Sequence, residues 1–215
     1  MKAQFASFLL FITCLLGCSS CSAVFLGVYG IHKPKAVTEA EIIRSAKQYK
    51  IPLANTYELD ASYRDYILTN DTSLHRQAMK NHLQPLQAIY YSPEGKMLSF
   101  QVNCYAGGYP NLKWERNGNM NTFPPKVQAP LDSLVPISMQ FKFLLGLSNS
   151  AVPQYEPGQP TLIVFWSKFM GRQTKRFIRI LQENAELAQR DELSIFYVNA
   201  DNIFVEEVDD TNLME

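Results

Sequence analysis

Cysteine is the residue type in this chain with the widest reactive chemistry, and its four copies are unevenly placed. Cys14, Cys18 and Cys21 lie within the first 21 residues, and only Cys104 lies in the body of the chain. A chain of this size with one cysteine in its body is not a disulfide framework, so its stability must come from a hydrophobic core. Cys104 is either a reactive thiol beside a glycine-containing loop or a small buried hydrophobic residue.

The other side chains that could do chemistry form no catalytic or metal-binding pattern. His75 and His82 are seven residues apart, which on a helix is about 10 Å of rise and too far for one ion. No His/Cys cluster has metal-ligand spacing, and no nucleophile-elbow or phosphate-loop motif is present. We therefore predict no metal, no cofactor and no catalytic residue.

The charge balance excludes one class of partner. Twenty basic and twenty acidic residues give a formal net charge of zero. Nucleic-acid binding relies on a basic excess that neutralises phosphates. We therefore expect no nucleic-acid partner.

The N-terminal region has the pattern of an export signal. A short start with Lys2 precedes twelve uncharged, mostly apolar residues, Phe5–Leu16, and Gly17 then precedes Cys18. An apolar run of about 7–15 residues after a basic start is typical of a signal peptide. This stretch resembles a bacterial lipoprotein signal peptide with its lipobox. The resemblance implies cleavage before Cys18, with Cys21 as the second candidate, and a diacylglycerol thioether on that cysteine.

Two alternatives remain open for this region. The uncharged stretch continues to Ile31, and 27 residues are enough for an uncleaved membrane-spanning helix. Lys33 and Lys35 would then lie on the far side of the membrane, against the positive-inside tendency. Simple secretion is the other alternative. All three place the bulk of the chain outside the cytoplasm.

These observations predict three parts in the chain. We expect a signal peptide over residues 1–17, a membrane tether over 18–37 and a single domain over 38–215. Removal of the signal leaves 215 − 17 = 198 residues, and an apolar content of 47% is ample for one packed core. We expect this domain at the extracytoplasmic, periplasmic face of a membrane of the cell envelope, anchored through the N-terminal lipid.

Local patterns predict both helices and strands. Thr38 and Glu41 have the spacing of a capping box at the start of a helix. Leu86–Tyr91 and Lys96–Asn103 flank the turn sequence Ser92–Gly95, which predicts a β-hairpin. A further helix could run from Asp71 or Thr72 to Leu83, whereas the apolar segment 137–147 fits a helix or a strand equally well. The fold class that follows is α/β, with a mixed sheet and flanking helices.

The last third of the chain carries a second resemblance. In Pro160–Arg179, a buried strand Leu162–Trp166 ends in Phe-Trp, and a short turn leads into a long helix expected to reach about Arg190. Residues 193–201 then form a second apolar strand. The unit resembles the first catalytic βα unit of the thioredoxin superfamily. The resemblance places Met170 and Gln173 at the two positions that the family fills with cysteines.

Two consequences follow if the resemblance holds. Disulfide exchange needs a thiolate and a resolving thiol, and neither Met170 nor Gln173 can supply one. The hairpin that the family places after this unit must come from earlier in the chain. We therefore hypothesise a rearranged sheet in which the Pro85–Asn103 hairpin flanks the strands around Leu162 and Ile195.

The start of the long helix carries several basic residues. Lys168, Arg172, Lys175 and Arg176 surround its N-terminus. They form either a site for an anion or an acidic partner, or the solvated face of an amphipathic helix.

The functional expectation is a binding or scaffolding role. We expect a membrane-anchored lipoprotein whose thioredoxin-like domain is redox-inactive and binds another envelope component, such as an envelope protein. The alternatives are a thiol-dependent oxidoreductase that uses Cys104, and an envelope structural protein held by an uncleaved signal anchor.

Overall fold

The computed structural model describes residues 30–69, 75–103, 114–188 and 193–205. Cys18, Cys21 and Cys104 lie outside these residues. The described strands are β1 (Thr56–Leu59), β2 (Gln87–Tyr91), β3 (Met97–Val102), β4 (Leu144–Gly146), β5 (Thr161–Trp166) and β6 (Ser194–Asn199). The described α-helices are α1 (Glu39–Tyr49), α2 (Ser62–Thr69), α3 (Arg76–His82), α4 (Ile137–Lys142) and α5 (Arg172–Ala185).

The strands form one six-stranded mixed sheet, which confirms the predicted α/β class. The strand order is β3-β2-β5-β6-β1-β4. Strands β5, β6 and β1 run parallel, and β2 of the β2–β3 hairpin pairs with β5 antiparallel. Ala88 of the hairpin faces Val164, and Val164 faces Tyr197 on its other side. The hypothesis that the hairpin flanks the β5 and β6 strands is therefore confirmed.

Helices cover both faces of the sheet. Along β5, Leu162, Val164 and Trp166 pack with α1 and α5, whereas Ile163 and Phe165 pack with α2, α3 and α4. Successive side chains of a strand point to opposite faces, so a strand that is buried on both sides is apolar throughout. All six residues of β5 are buried.

Local signals place most elements correctly. The Thr38–Glu41 capping box is present at the start of α1. The ambiguous segment 137–147 forms both element types, since the short helix α4 is followed by β4. Of the helix expected to run from residue 71 or 72 to Leu83, the described part is α3, Arg76–His82.

The expected end of the long helix is wrong by about one turn. Helix α5 ends at Ala185 rather than near Arg190. A 14-residue helix is about 21 Å long, which matches the about 20 Å of a six-residue strand. Because Ser194 lies opposite Thr161 in the sheet, the chain must leave the helix in time to return to the start of β5.

No helix within the described ranges combines the length and the apolar character that crossing a bilayer requires.

Candidate functional site

The turn between β5 and α5 and the first turn of α5 contain the two positions where the thioredoxin resemblance places cysteines, Met170 and Gln173. A 3₁₀ helix, Lys168–Met170, and Gly171 connect the two elements. Met170 is 4% exposed and packs in the core beneath α1 and α5, and Gln173 is 8% exposed in the first turn of α5. Both positions are therefore filled by buried side chains without a thiol.

The buried carboxylate of Asp201 holds the backbone of this turn through hydrogen bonds. Its carboxylate accepts hydrogen bonds from the backbone N–H groups of Lys168 (2.6 Å) and Phe169 (3.1 Å), and from the side-chain amide of Asn199 (2.6 Å). Asp201 is 1% exposed, and burial raises its pKa while these hydrogen bonds oppose the rise. The carboxylate therefore links the carboxyl end of β6 to the start of the α5 turn.

The segment 30–37, at the end of the predicted tether, covers the same turn from outside. The backbone N–H of His32 donates to the carbonyl oxygen of Phe169 (2.8 Å). Val37 exchanges two hydrogen bonds with the side chain of Asn202, at 2.9 and 3.1 Å. Gly171 has φ of +51°, and a Cβ there would overlap the carbonyl oxygen of Gly30. The glycine therefore permits the segment to lie directly against the turn.

A cleft of about 550 Å³ lies between this segment and the turn. Lys168 lines it and forms an ion pair with Glu41 (Nζ–Oε1 2.9 Å). The hydrogen bond and charge of Lys168, together with the Thr38 backbone N–H, lower the pKa of Glu41 to about 2. Glu41 is half-exposed, so the pair is a surface feature, and its low pKa makes the carboxylate neither an acid nor an effective base near neutral pH.

Basic residues dominate the surface that continues from this cleft along α1 and α5. We define the basic face as six exposed residues: Lys33, Lys35, Lys50, Lys168, Arg172 and Lys175. They line three adjoining clefts of about 550, 470 and 390 Å³. Among the described residues only Lys168 of this set has an ion-pair partner, since Glu115 pairs instead with the neighbouring Arg176 and Arg179. Glu41, Glu183, Glu186 and the buried Asp201 also line these clefts, but basic residues outnumber them, so the face is net positive in a chain of zero net charge.

A second polar cluster lies on the opposite side of the sheet. His82 is fully buried, and its Nε2 lies 3.0 Å from Oδ1 of Asp132. Its Nδ1 lies 3.5 Å from the hydroxyl of the buried Tyr63. None of the three clefts of the basic face reaches this cluster, which we interpret as structural. His75 is exposed.

No group of three potential metal ligands occurs among the residues that the structure describes.

No protein-family model matches this chain, and no curated protein or solved structure matches it. The β5–α5 turn and the basic face are the features of the molecule that bear on its function.

The sequence indicated some of this site and missed the rest. It identified Met170, Gln173 and the basic residues at the start of α5. It missed the role of Asp201, for which the only signal was an aspartate just after an apolar strand. It also missed the packing of segment 30–37 on the turn. The glycine at position 171 is the local sequence feature that reflects this packing.

Proposed function

We propose that this protein is a membrane-anchored extracytoplasmic lipoprotein whose redox-inactive, thioredoxin-like domain binds an anionic component of the cell envelope through the basic face. The observation that carries the proposal is the β5–α5 turn, where Met170 and Gln173 are buried beside a cluster of exposed cations. The turn has lost the residues for disulfide exchange and keeps a charged surface for binding.

The sheet topology supports the thioredoxin-like part of the proposal. The unit β5–α5–β6 has parallel strands joined by a helix, and the β2–β3 hairpin lies antiparallel at the other side of β5. The hydroxyl of Ser167, at the end of β5, donates to the carbonyl of Pro85, which leads into the hairpin (3.2 Å). The hairpin that begins at Pro85 thus lies next to the turn, although it comes earlier in the chain than in the family.

The chemistry of the turn supports redox inactivity. A thioether has no proton to lose and an amide cannot attack a disulfide, so neither side chain can form or resolve a mixed disulfide. The backbone of segment 30–37 also covers the turn, because His32 bonds to Phe169 and Gly30 lies against Gly171. A disulfide-bearing substrate would have to displace the protein's own chain.

The alternative of a thiol oxidoreductase has one observation in its favour. Asn103, the last described residue before Cys104, exchanges hydrogen bonds with Leu86 at the sheet edge where β5 ends. Full-length protein in detergent should nevertheless reduce insulin no faster than the dithiol reductant alone, and Cys104→Ser should behave identically. A rate above that background that disappears in Cys104→Ser would replace the binding proposal with the enzymatic one.

The anchor has its own test. The intact mass of protein purified from membranes should correspond to loss of residues 1–17 and addition of acyl-glyceryl groups at Cys18. A mass shift that maps to Cys21 would move the cleavage site and leave the anchor in place. The mass of the full uncleaved chain would contradict the lipid anchor and favour an envelope protein held by a signal anchor.

A further inference from the structure

The uncharged N-terminal segment meets the domain at the basic face. Gly30 is the first described residue, and a Cβ built on it would lie 3.2 Å from the side chain of Arg172. The residues from Phe5 to Ile31 carry no charge. The uncharged segment therefore joins the domain beside Arg172, on the basic face itself.

The sequence between the anchor and the domain limits how far this face can move from the membrane. Cys21 and Gly30 are nine residues apart and Cys18 and Gly30 twelve. A fully extended chain of these lengths spans at most about 30 and 40 Å. The basic face therefore stays within about 40 Å of an anchor at either cysteine.

At that distance from the anchor, the surface whose charge complements the basic face is a membrane with anionic headgroups. Five of its six cations have no ion-pair partner among the described residues. Basic side chains next to a membrane gain about 1 kcal/mol each from anionic headgroups. Stable attachment commonly combines a hydrophobic anchor with such a basic patch.

From these observations we propose that the basic face docks on the anionic phospholipid headgroups of the membrane that holds the chain's own N-terminus. The side of the sheet with α1 and α5 then faces the bilayer, and the side with α2, α3 and α4 faces away. This inference rests on the membrane anchor of the proposed function and names its anionic component. An acidic protein would have to compete with a surface that the tether holds at high effective concentration.

Lysine acetylation read by mass spectrometry tests this orientation without added labels. Full-length protein is reconstituted into vesicles of phosphatidylcholine alone, or of equal parts phosphatidylcholine and phosphatidylglycerol. Acetylation of Lys33, Lys35 and Lys175 should fall about fivefold on the anionic vesicles. Lys80 in α3 and Lys142 in α4 are exposed on the opposite side and should react equally on both.

Salt and charge reversal sharpen the test. The protection should disappear in about 1 M salt, where the Debye length is about 3 Å. The double variant Arg172→Glu with Lys175→Glu should lose the protection of Lys33 and Lys35. The matched double variant Arg64→Glu with Lys142→Glu, on the opposite side, should keep it.

The outcomes separate the inference from the proposed function. Equal acetylation on both vesicle types in an anchored protein overturns the docking on lipid. Protection in native membranes but not in protein-free vesicles assigns the face to an acidic protein, which also overturns this inference and leaves the proposed binding role intact. Protein that remains in solution without attaching to either vesicle type contradicts the anchor, and with it the proposed function.

Discussion

Two aspartates on different sides of this fold show how the partners of a carboxylate decide what it does. Asp201, beneath the basic face, accepts hydrogen bonds from two backbone N–H groups and one side-chain amide. Asp132, on the side of α2, α3 and α4, accepts from the imidazole of His82 and the backbone N–H of Leu134. Both are at least partly buried, and both bind more than one donor.

Their pKa values nevertheless move in opposite directions. Burial raises the pKa of Asp201, because its neutral amide donors and the charge of Lys168 only partly offset the loss of water. Burial has the largest single effect on Asp132 as well, but the hydrogen bond and charge of His82, the backbone N–H of Leu134 and the charge of His75 together outweigh it and lower its pKa. The comparison shows that hydrogen bonds from amides let a buried carboxylate hold the backbone in place. A hydrogen bond from a basic side chain also keeps the carboxylate ionised.

Removal of the Asp201 carboxylate should have the largest effect. Asp201→Ala leaves the N–H groups of Lys168 and Phe169 and the amide of Asn199 without this acceptor, and each buried unsatisfied group costs about 1–3 kcal/mol. We expect the free energy of unfolding in urea to fall by about 3 kcal/mol. Glu156→Ala, at an exposed position, is the control and should change little. A loss for Asp201→Ala no larger than that of the control would remove its role in holding the turn.

Removal of the Asp132 carboxylate should cost less. In Asp132→Ala the fully buried His82 loses the acceptor of its Nε2–H, and Leu134 loses a partner that is nearer the surface. One buried donor left unpaired predicts a loss of about 2 kcal/mol in the same urea experiment. Leu131→Ala, an exposed neighbour, serves as the matched control. A loss that exceeds that of Asp201→Ala would reverse the ranking of the two clusters.

The dependence on pH should separate the two aspartates by sign. The folded-state pKa of Asp132 lies below its ordinary value of 3.8, so its contribution is complete above that value and is lost as pH falls through the lowered pKa. The folded-state pKa of Asp201 lies above 3.8, so the proton-linked part of its contribution is complete below that value and is lost as pH rises through the raised pKa, whereas the contribution of its hydrogen bonds is separate.

The measurement is the stability of each Asp→Asn variant relative to wild type between about pH 3 and 7. The advantage of wild type over Asp132→Asn should shrink on acidification, whereas its advantage over Asp201→Asn should grow. Each unit of pKa shift corresponds to about 1.4 kcal/mol. Because His75 and His82 also act on Asp132, a His75→Gln background serves as control. If the stability advantage of wild type changed with pH in the same direction for both variants, the two sites would not differ as proposed.

The sequence predicted the parts of the fold whose signals are local. The Thr38–Glu41 capping box spans three residues, and the β2–β3 hairpin has its turn residues at fixed offsets. The place of the hairpin beside β5 also followed from the sequence, as a hypothesis drawn from the resemblance to the thioredoxin superfamily. Each of these predictions depended either on a short-range sequence pattern or on the resemblance to the thioredoxin superfamily.

The sequence could not predict the contacts that define the site. Asp201 lies 33 residues from Lys168, His82 lies 50 residues from Asp132, and Val37 lies 165 residues from Asn202. Each pair depends on how strands are ordered in the sheet, and no local periodicity encodes it. The sequence indicated the basic residues at the start of α5, but it did not show that Lys33, Lys35 and Lys50 join them on one face, because composition does not show how charges are distributed in space.

The half-exposed Glu41 should give the smallest effect, although its pKa of about 2 is far below the ordinary value. Glu41→Gln keeps an acceptor at the third helical position, so the capping box can still form, and only the ion pair with Lys168 is lost. Because water and salt screen this pair, its free-energy coupling should be far smaller than either aspartate effect.

A double-mutant cycle of Glu41→Gln and Lys168→Met, measured by urea unfolding, reports that coupling directly. We expect it to be small at low salt and to shrink further in about 1 M salt, where the Debye length is about 3 Å. A coupling that persists in high salt would mean that the pair is shielded from water like Asp201. A pKa shift shows how strongly the folded protein favours one protonation state of a group. Its effect on the free energy of unfolding is large only where the group is buried, as Asp201 is, and small where water and salt screen it.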